Sequence, residues 1–122
     1  MHLNIEPELK SRKQIAFDLK QDLLKKYYPK PKVNLNSQYY KKAYGDLKEF
    51  FKNENWEHRQ GSVYTSRDIL TYYDVAKLME KIAKDMPWLS DCVDTIDVTN
   101  VGEYHSLKQT LEAATKVLAN AD

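Results

Sequence analysis

The stretch QIAFDL at residues 14–19 decides the fold, because its side chains alternate with the two-residue period of a β-strand. Three apolar side chains share one face, which we expect to pack on a core: Ile15, Phe17 and Leu19. The other face carries Gln14, Ala16 and Asp18. We therefore expect Asp18 on the side of the sheet that no helix covers.

The segments that follow predict the order βαββαβ. Residues 37–51 have helical spacing after a possible N-cap at Asn36, with apolar positions Tyr40, Ala43, Tyr44, Leu47, Phe50 and Phe51. Two short strands are predicted at Trp56–Arg59 and Ser62–Thr65, with a turn at Gln60 and Gly61. Thr71 and Asp74 begin a second helix, which Pro87 ends, and its apolar stripe is Val75, Leu78, Met79, Ile82 and Met86. A last strand is predicted at Cys92–Thr99.

This order is typical of the α+β ferredoxin-like fold, in which an antiparallel sheet carries both helices on one face. Residues 13–100 form the predicted domain, and residues 1–12 are interpreted as an N-terminal arm outside the core. Residues 101–122 form a tail with a final helix over 104–119, whose narrow apolar stripe is Leu107, Leu111, Ala114 and Leu118. The tail could cover the sheet edge, pack on the open sheet face or mediate association.

A long mobile loop is predicted after the first strand, since Pro29 and Pro31 interrupt regular structure there. The loop combines basic residues with aromatic ones: Lys20, Lys25, Lys26, Tyr27, Tyr28, Lys30 and Lys32. Lysines can neutralise phosphates and aromatic rings can stack on bases, so this composition is typical of RNA contact. A solvated loop that is basic by chance is the alternative.

Composition limits the classes of function. The net charge is +1 over 122 residues, which excludes a strongly basic nucleic-acid-binding protein but permits a local basic patch. The single cysteine, Cys92, excludes an internal disulfide and a multi-cysteine zinc site. The sequence contains neither an apolar leader nor a membrane-length apolar run, so we expect a cytoplasmic protein without a membrane partner.

Four strings occur together, in order, over residues 13–98: IAFDL at 15–19, KKAYGDLKEFF at 41–51, QGSVY at 60–64 and MPWL at 86–89. In these strings the chain resembles the virulence-associated protein D (VapD) family, which is related in fold to the CRISPR-associated protein 2 nucleases. The resemblance implies a ferredoxin-like protomer, a homodimer packed through its sheets, and an endoribonuclease toxin that an antitoxin protein silences. Three features depart from the family: the N-terminal arm, the helical tail, and Thr95 where an aspartate is usual.

Asp18 is the first candidate for catalysis. In a sheet-packed dimer two copies of Asp18 would approach a shared groove, where close carboxylates share a proton or hold a divalent metal ion such as Mg²⁺. Either arrangement can serve phosphodiester cleavage, by deprotonating a ribose 2′-hydroxyl or by activating water. The alternative is an aspartate that caps the following loop.

Three further residues are assigned to the open face or its rim. Ser62 follows Gly61 and could hold the scissile phosphate, or could simply satisfy a turn. Tyr64 could stack a base but fits better in a dimer seam, where Ala16 and Val93 would join it. Asp97 could replace the aspartate that is missing at Thr95, with a solvated carboxylate as the alternative.

The remaining titratable residues are weaker candidates. Asp94 is predicted on the opposite face from Asp97, and His58 is expected to point towards the helices as a core or rim residue. No two histidines have metal-ligand spacing. Two other functions stay open: a non-catalytic dimer that binds nucleic acid or serves a structural role, and a regulatory interaction domain.

Overall fold

A computed structural model describes residues 9–121 of the chain. Its sheet has four strands: β1 (Arg12–Leu19), β2 (Trp56–Gln60), β3 (Val63–Ser66) and β4 (Val93–Val101). They lie in the order β2-β3-β1-β4, and every neighbouring pair is antiparallel. Strand β1 pairs with β4 from Arg12 to Leu19 and with β3 on its other side, so it is hydrogen-bonded along both edges.

The described residues form five helices: α1 (Gln21–Tyr27), α2 (Lys42–Asn53), α3 (Tyr72–Asp85), α4 (Leu89–Cys92) and α5 (Lys108–Asn120). A 3-10 turn at Tyr39–Lys41 leads into α2. The order β1-α2-β2-β3-α3-β4 and the strand order are those of the ferredoxin-like fold. The predicted α+β class with an additional C-terminal helix is confirmed.

The main core lies between the sheet and the helices α2 and α3. Its buried members are Ile15, Phe17, Leu47, Phe50, Phe51, Trp56, Tyr64, Val75, Leu78, Ile82, Met86 and Leu89. Phe51 is at the centre, because its ring contacts the rings of Phe17 and Trp56 edge-on at 5.7 and 5.5 Å. Aromatic pairs at such distances stabilise a core beyond the apolar area that they bury.

The start of α3 was predictable from a local signal. The Thr71 hydroxyl accepts a hydrogen bond from the Asp74 backbone N–H, and the Asp74 carboxylate accepts one from the Thr71 N–H. This capping box satisfies N–H groups that have no partner within the helix. The helix ends at Asp85, shortly before Pro87, as its sequence predicts.

The prediction of an irregular loop after β1 was wrong for its first part, whereas residues 29–38 form neither helix nor strand. Residues 21–27 form helix α1, which ends before Pro29, so the prolines limit the helix without preventing it. A second apolar cluster holds α1 in place and consists of Leu24, Tyr28, Tyr40, Ala43 and Cys92. Burial of Leu24 and Tyr28 explains why this segment is ordered.

The N-terminal arm is described only in part. Residues 1–8 lie outside the described residues, whereas Ser11 pairs with Leu70 and β1 already begins at Arg12. The fully buried Lys13 ties this end to β4, since its ammonium donates to the backbone oxygen of Leu9 at 3.1 Å and to Asn100 Oδ1 at 2.5 Å. The buried charge is therefore satisfied by hydrogen bonds.

The open-face placement of Tyr64 was wrong. Tyr64 pairs with Ile15 across the β1–β3 ladder, and directly opposed residues share a face, so Tyr64 points towards the helices. Its ring is 2% exposed and stacks on Phe51 with 4.2 Å between centroids. Val93 was also misplaced, because it pairs with Leu19 and packs against the core.

No helix within residues 9–121 is long and apolar enough to cross a membrane.

Burial of Tyr64 leads to a testable pH dependence. It raises the pKa of the phenol from 10.0 to about 12, so the folded state keeps a proton that the unfolded chain loses above pH 10. Stability is therefore unaffected below pH 10 and falls as the pH rises from there, by about 2 kcal/mol at pH 12. Tyr64→Phe should remove this component while leaving stability near pH 7 almost unchanged.

Urea denaturation of wild type and Tyr64→Phe at pH 7, 10 and 11.5 measures the difference. Tyr44→Phe, at an exposed position on α2, is the control and should follow wild type at every pH. Parallel loss of stability in wild type and Tyr64→Phe above pH 10 would contradict the assignment.

Candidate functional site

Asp18 lies where its sequence predicts, on the open face near the end of β1. It pairs with Thr95 of β4, and its side chain is about half exposed. Alternation along β1 places Gln14 and Ala16 on the same face, whereas Ile15 and Phe17 enter the core. The carboxylate is thus held by a paired, central strand and remains accessible from solvent.

The lysine that follows β1 belongs to the same site. Lys20 Nζ is 3.2 Å from Asp18 Oδ2 and 3.9 Å from Asp94 Oδ2. The hydrogen bond and charge of Asp18 raise the pKa of Lys20 above its usual value, and Asp94 adds to the effect. The Lys20 backbone N–H donates to Cys92 O at 3.0 Å, which fixes the start of this segment against α4.

Asp94 reaches Lys20 because the β1–β4 pairing is irregular. Asp18 pairs with Thr95 but Leu19 pairs with Val93, so Asp94 is an extra residue at a bulge. The simple alternation that predicted Asp94 on the opposite face does not hold at this point. A bulge of this kind re-aims a side chain, here towards the cation beside Asp18.

Asp97 also lies on the open face, as its sequence predicts. It pairs with Ala16 and is therefore a diagonal neighbour of Asp18, at a separation of roughly 7–8 Å in regular sheets. Its side chain is exposed.

Ser62 lies in the turn between β2 and β3, at the same end of the sheet as Asp18. Its backbone oxygen accepts a hydrogen bond from the Phe17 N–H at 3.0 Å, and Gly61 before it has φ +46°. The turn thus brings Ser62 beside β1, but opposite Phe17, so its side chain lies on the helix side of the sheet and not on the face that carries Asp18. Its catalytic role remains a prediction.

The basic segment after β1 has most of its predicted RNA-binding side chains exposed, but one of them is buried. Lys25, Lys26, Tyr27 and Lys30 are exposed on or just after α1, which begins directly after Lys20. Tyr28 is 7% exposed, its hydroxyl donates to Asp46, and its ring packs edge-on against Trp88. The prediction that Tyr28 contacts RNA was therefore wrong, because its buried ring is not accessible to a base.

The prediction that Tyr64 contacts RNA was wrong for the same reason, since its side chain is buried in the core. His58 points towards the helix side, as predicted, and is exposed at the rim. Its Nε2–H donates to Gly61 O at 2.7 Å, and its ring lies 5.0 Å from that of Tyr64. These contacts give His58 a role in the β2–β3 turn, on the opposite face of the sheet from Asp18.

The donor set does not fit a metal ion within one protomer. Among residues 9–121 no group of three His, Cys, Asp or Glu side chains could hold a metal. The Asp18 carboxylate is instead paired with the Lys20 ammonium.

Comparison with known proteins identified a relative of this chain. No protein-family model matches the chain. A protein of Helicobacter pylori (strain ATCC 700392 / 26695) named Endoribonuclease VapD is 30% identical over 100 residues, which cover 81% of this chain and 97% of the relative. The chain belongs to the VapD family. The family resemblance predicted from four short strings is therefore confirmed.

Sequence reasoning missed a second group of residues on the open face of this VapD-family chain. Glu57 is 3.1 Å from Arg59 and 3.8 Å from Arg12, and both guanidinium groups lie over the ring of Tyr104. The alternation along β1, continued from Asp18 back to Arg12, would have placed Arg12 on the open face. The contribution of Tyr104 had no local signal, because it comes from the tail.

Proposed function

We propose that this chain is an endoribonuclease that cleaves RNA at the Asp18 end of the open sheet face. The observation that carries the proposal is the exposed pair of Asp18 and Lys20, whose carboxylate and ammonium are 3.2 Å apart. The name of its VapD relative, an endoribonuclease, supports the choice of substrate and reaction. The pair supplies the two groups that cleavage of RNA without a cofactor needs: a proton acceptor and a fixed positive charge.

In the proposed reaction, the Asp18 carboxylate accepts the proton of a ribose 2′-hydroxyl. The 2′-oxygen then attacks the adjacent phosphorus, the bond from phosphorus to the 5′-oxygen breaks, and the leaving oxygen takes a proton from water. The products are a 2′,3′-cyclic phosphate and a 5′-hydroxyl end. Every atom in this sequence comes from RNA, Asp18 or water, so no further reactant is required.

Lys20 has the complementary role. A phosphate that approaches Asp18 also approaches the ammonium, which can interact with the non-bridging oxygens as negative charge develops on them. Lys20 is charged over the whole neutral range, as lysines are, and the neighbouring carboxylates raise its pKa further. The shared contact with Asp94 holds the ammonium in place before RNA binds.

The proposed reaction has no step that uses Mg²⁺, because the carboxylates of residues 9–121 in one protomer do not form a metal site. Asp97 is proposed as a secondary residue on the open face, where it would take the place of the missing aspartate at Thr95. Ser62 has no part in the proposed reaction, because its register opposite Phe17 places it on the helix side of the sheet.

Asp18→Asn tests the proposal most directly. Asparagine keeps the shape and one hydrogen-bonding oxygen, so the fold should persist, but it cannot act as a base. Cleavage of a structured RNA should slow by ~10²–10⁴-fold, the usual contribution of a general base. Asp85→Asn, at an exposed position on α3, is the control and should cleave like wild type.

The experiment measures the cleavage rate, the melting temperature and the chemistry of the product ends. Unchanged cleavage by Asp18→Asn would place the active site elsewhere. Products with 3′-hydroxyl and 5′-phosphate ends, formed only with a divalent metal, would refute the 2′-hydroxyl route.

The exposed lysines after Asp18 should bind RNA without selecting its sequence. Changing Lys25, Lys26 and Lys30 together to Ala should weaken binding of all RNAs alike and flatten the dependence of log Kd on log salt by roughly two units, at about 0.7 per lost phosphate contact. Filter binding at several salt concentrations measures both. An unchanged salt slope would remove α1 from the RNA path.

A homodimer and a toxin role opposed by an antitoxin protein complete the proposal. The apolar argument for sheet-to-sheet packing no longer includes Tyr64 or Val93, so the dimer depends on the family resemblance alone. Light scattering at micromolar concentration should give twice the 14.3 kDa of one chain. A monomer would contradict this part of the proposal and leave the active site untouched.

A further inference from the structure

An aromatic ring from the tail occupies the open face, away from Asp18. Tyr104 follows β4 and its hydroxyl donates to Gln14 Oε1 at 2.7 Å. The Tyr104 hydroxyl oxygen is also 2.7 Å from the hydroxyl oxygen of Thr65, a residue that is 0% exposed. The polar edge of the ring is therefore bound by two side chains of the sheet, one from β1 and one from β3.

The faces of the same ring meet positive charge. The guanidinium carbon of Arg59 lies 4.0 Å from the ring centroid, and that of Arg12 lies 5.7 Å away. Glu57 pairs with both arginines, through Oε1 to Arg59 and Oε2 to Arg12, which holds the two guanidinium groups near each other. The arginines are thus positioned by β1 and β2 rather than by Tyr104 alone.

We propose that Gln14, Thr65, Arg12 and Arg59 form a pocket for an unpaired RNA base, and that Tyr104 fills this pocket when RNA is absent. A base offers what Tyr104 offers: a flat aromatic ring that guanidinium groups stack on, and an edge that donates and accepts hydrogen bonds. The inference rests on the proposed function and names the part of the substrate that this surface recognises.

The pocket is placed to act together with the cleavage site. Gln14 and Asp18 lie on the same face of β1, four residues and therefore about 13 Å apart. A base bound at Gln14 would belong to a nucleotide near the scissile bond but not at it. The pocket would then select where along an RNA strand Asp18 acts.

The tail is built so that Tyr104 can leave. Residues 102–107 form neither helix nor strand, and α5 after them buries none of its side chains. Tyr104 is itself 39% exposed. RNA therefore competes with one side chain on a short irregular segment rather than with a packed element of the fold.

Binding of a 2′-O-methyl RNA, which has no free 2′-hydroxyl to react, tests the pocket separately from cleavage. Removing the competing ring raises the fraction of molecules that are ready to bind, so Tyr104→Ala should lower the Kd. A 5- to 30-fold effect is expected, roughly the equivalent of the one or two kcal/mol that such a contact contributes. Tyr44→Ala, equally exposed at 39% on α2, should bind like wild type.

Two further variants complete the test. Tyr104→Phe keeps the ring but loses both hydrogen bonds, so it should tighten binding less than Tyr104→Ala, and it serves if Tyr104→Ala does not fold. Adding Gln14→Ala to Tyr104→Ala should abolish the gain, because a group that contacts the base is lost.

Weaker binding by Tyr104→Ala would overturn the proposal by making Tyr104 itself an RNA contact. Unchanged binding, or no binding by either protein, would overturn it by making the contact purely structural. The outcome is separate from the cleavage test: tighter binding without any cleavage would keep the pocket and refute the endoribonuclease.

Discussion

The pairing of β1 between β3 and β4 is the constraint on which the rest of the structure depends. Because β1 is hydrogen-bonded on both sides, its side chains have no freedom to exchange faces, and a slip of one residue would move Phe17 out of the core and Asp18 into it. The strand therefore couples stability to function. The apolar half of its alternation holds α2 and α3, and the polar half presents the candidate site.

Features with a local cause could be predicted from the sequence. The alternation of β1, the helical stripes of α2 and α3, and the capping box at Thr71 each depend on residues within a few positions of one another, and all are present in the structure. Asp18 was found for this reason. Its face follows from its own strand, with no knowledge of the partner strands.

Features that depend on pairing could not be predicted. Tyr64 lies on a strand of four residues, and only its register with Ile15 decides which face it takes. Asp94 was misplaced because a bulge is a property of two strands together. Tyr28 was misplaced because burial against Trp88 outweighs the polar character of its neighbours. The group around Tyr104 brings together residues of β1, β2 and the tail. These residues are far apart in the sequence, so no local pattern could have predicted their contact.

The corrected face assignments change what the open face can do. With Tyr64 and Val93 in the core, this face carries Arg12, Glu57, Arg59 and Asp18, together with polar groups of β4. The proposed homodimer therefore has to leave these charges in contact with water, because burying them between two such faces has a cost that ion pairing rarely recovers in full. RNA bound on this face has a smaller cost, because it stays partly in contact with water and brings phosphates for Lys20 and base rings for the arginines. The net charge of +1 is then no obstacle to RNA binding, since the positive groups are held at fixed points on one face.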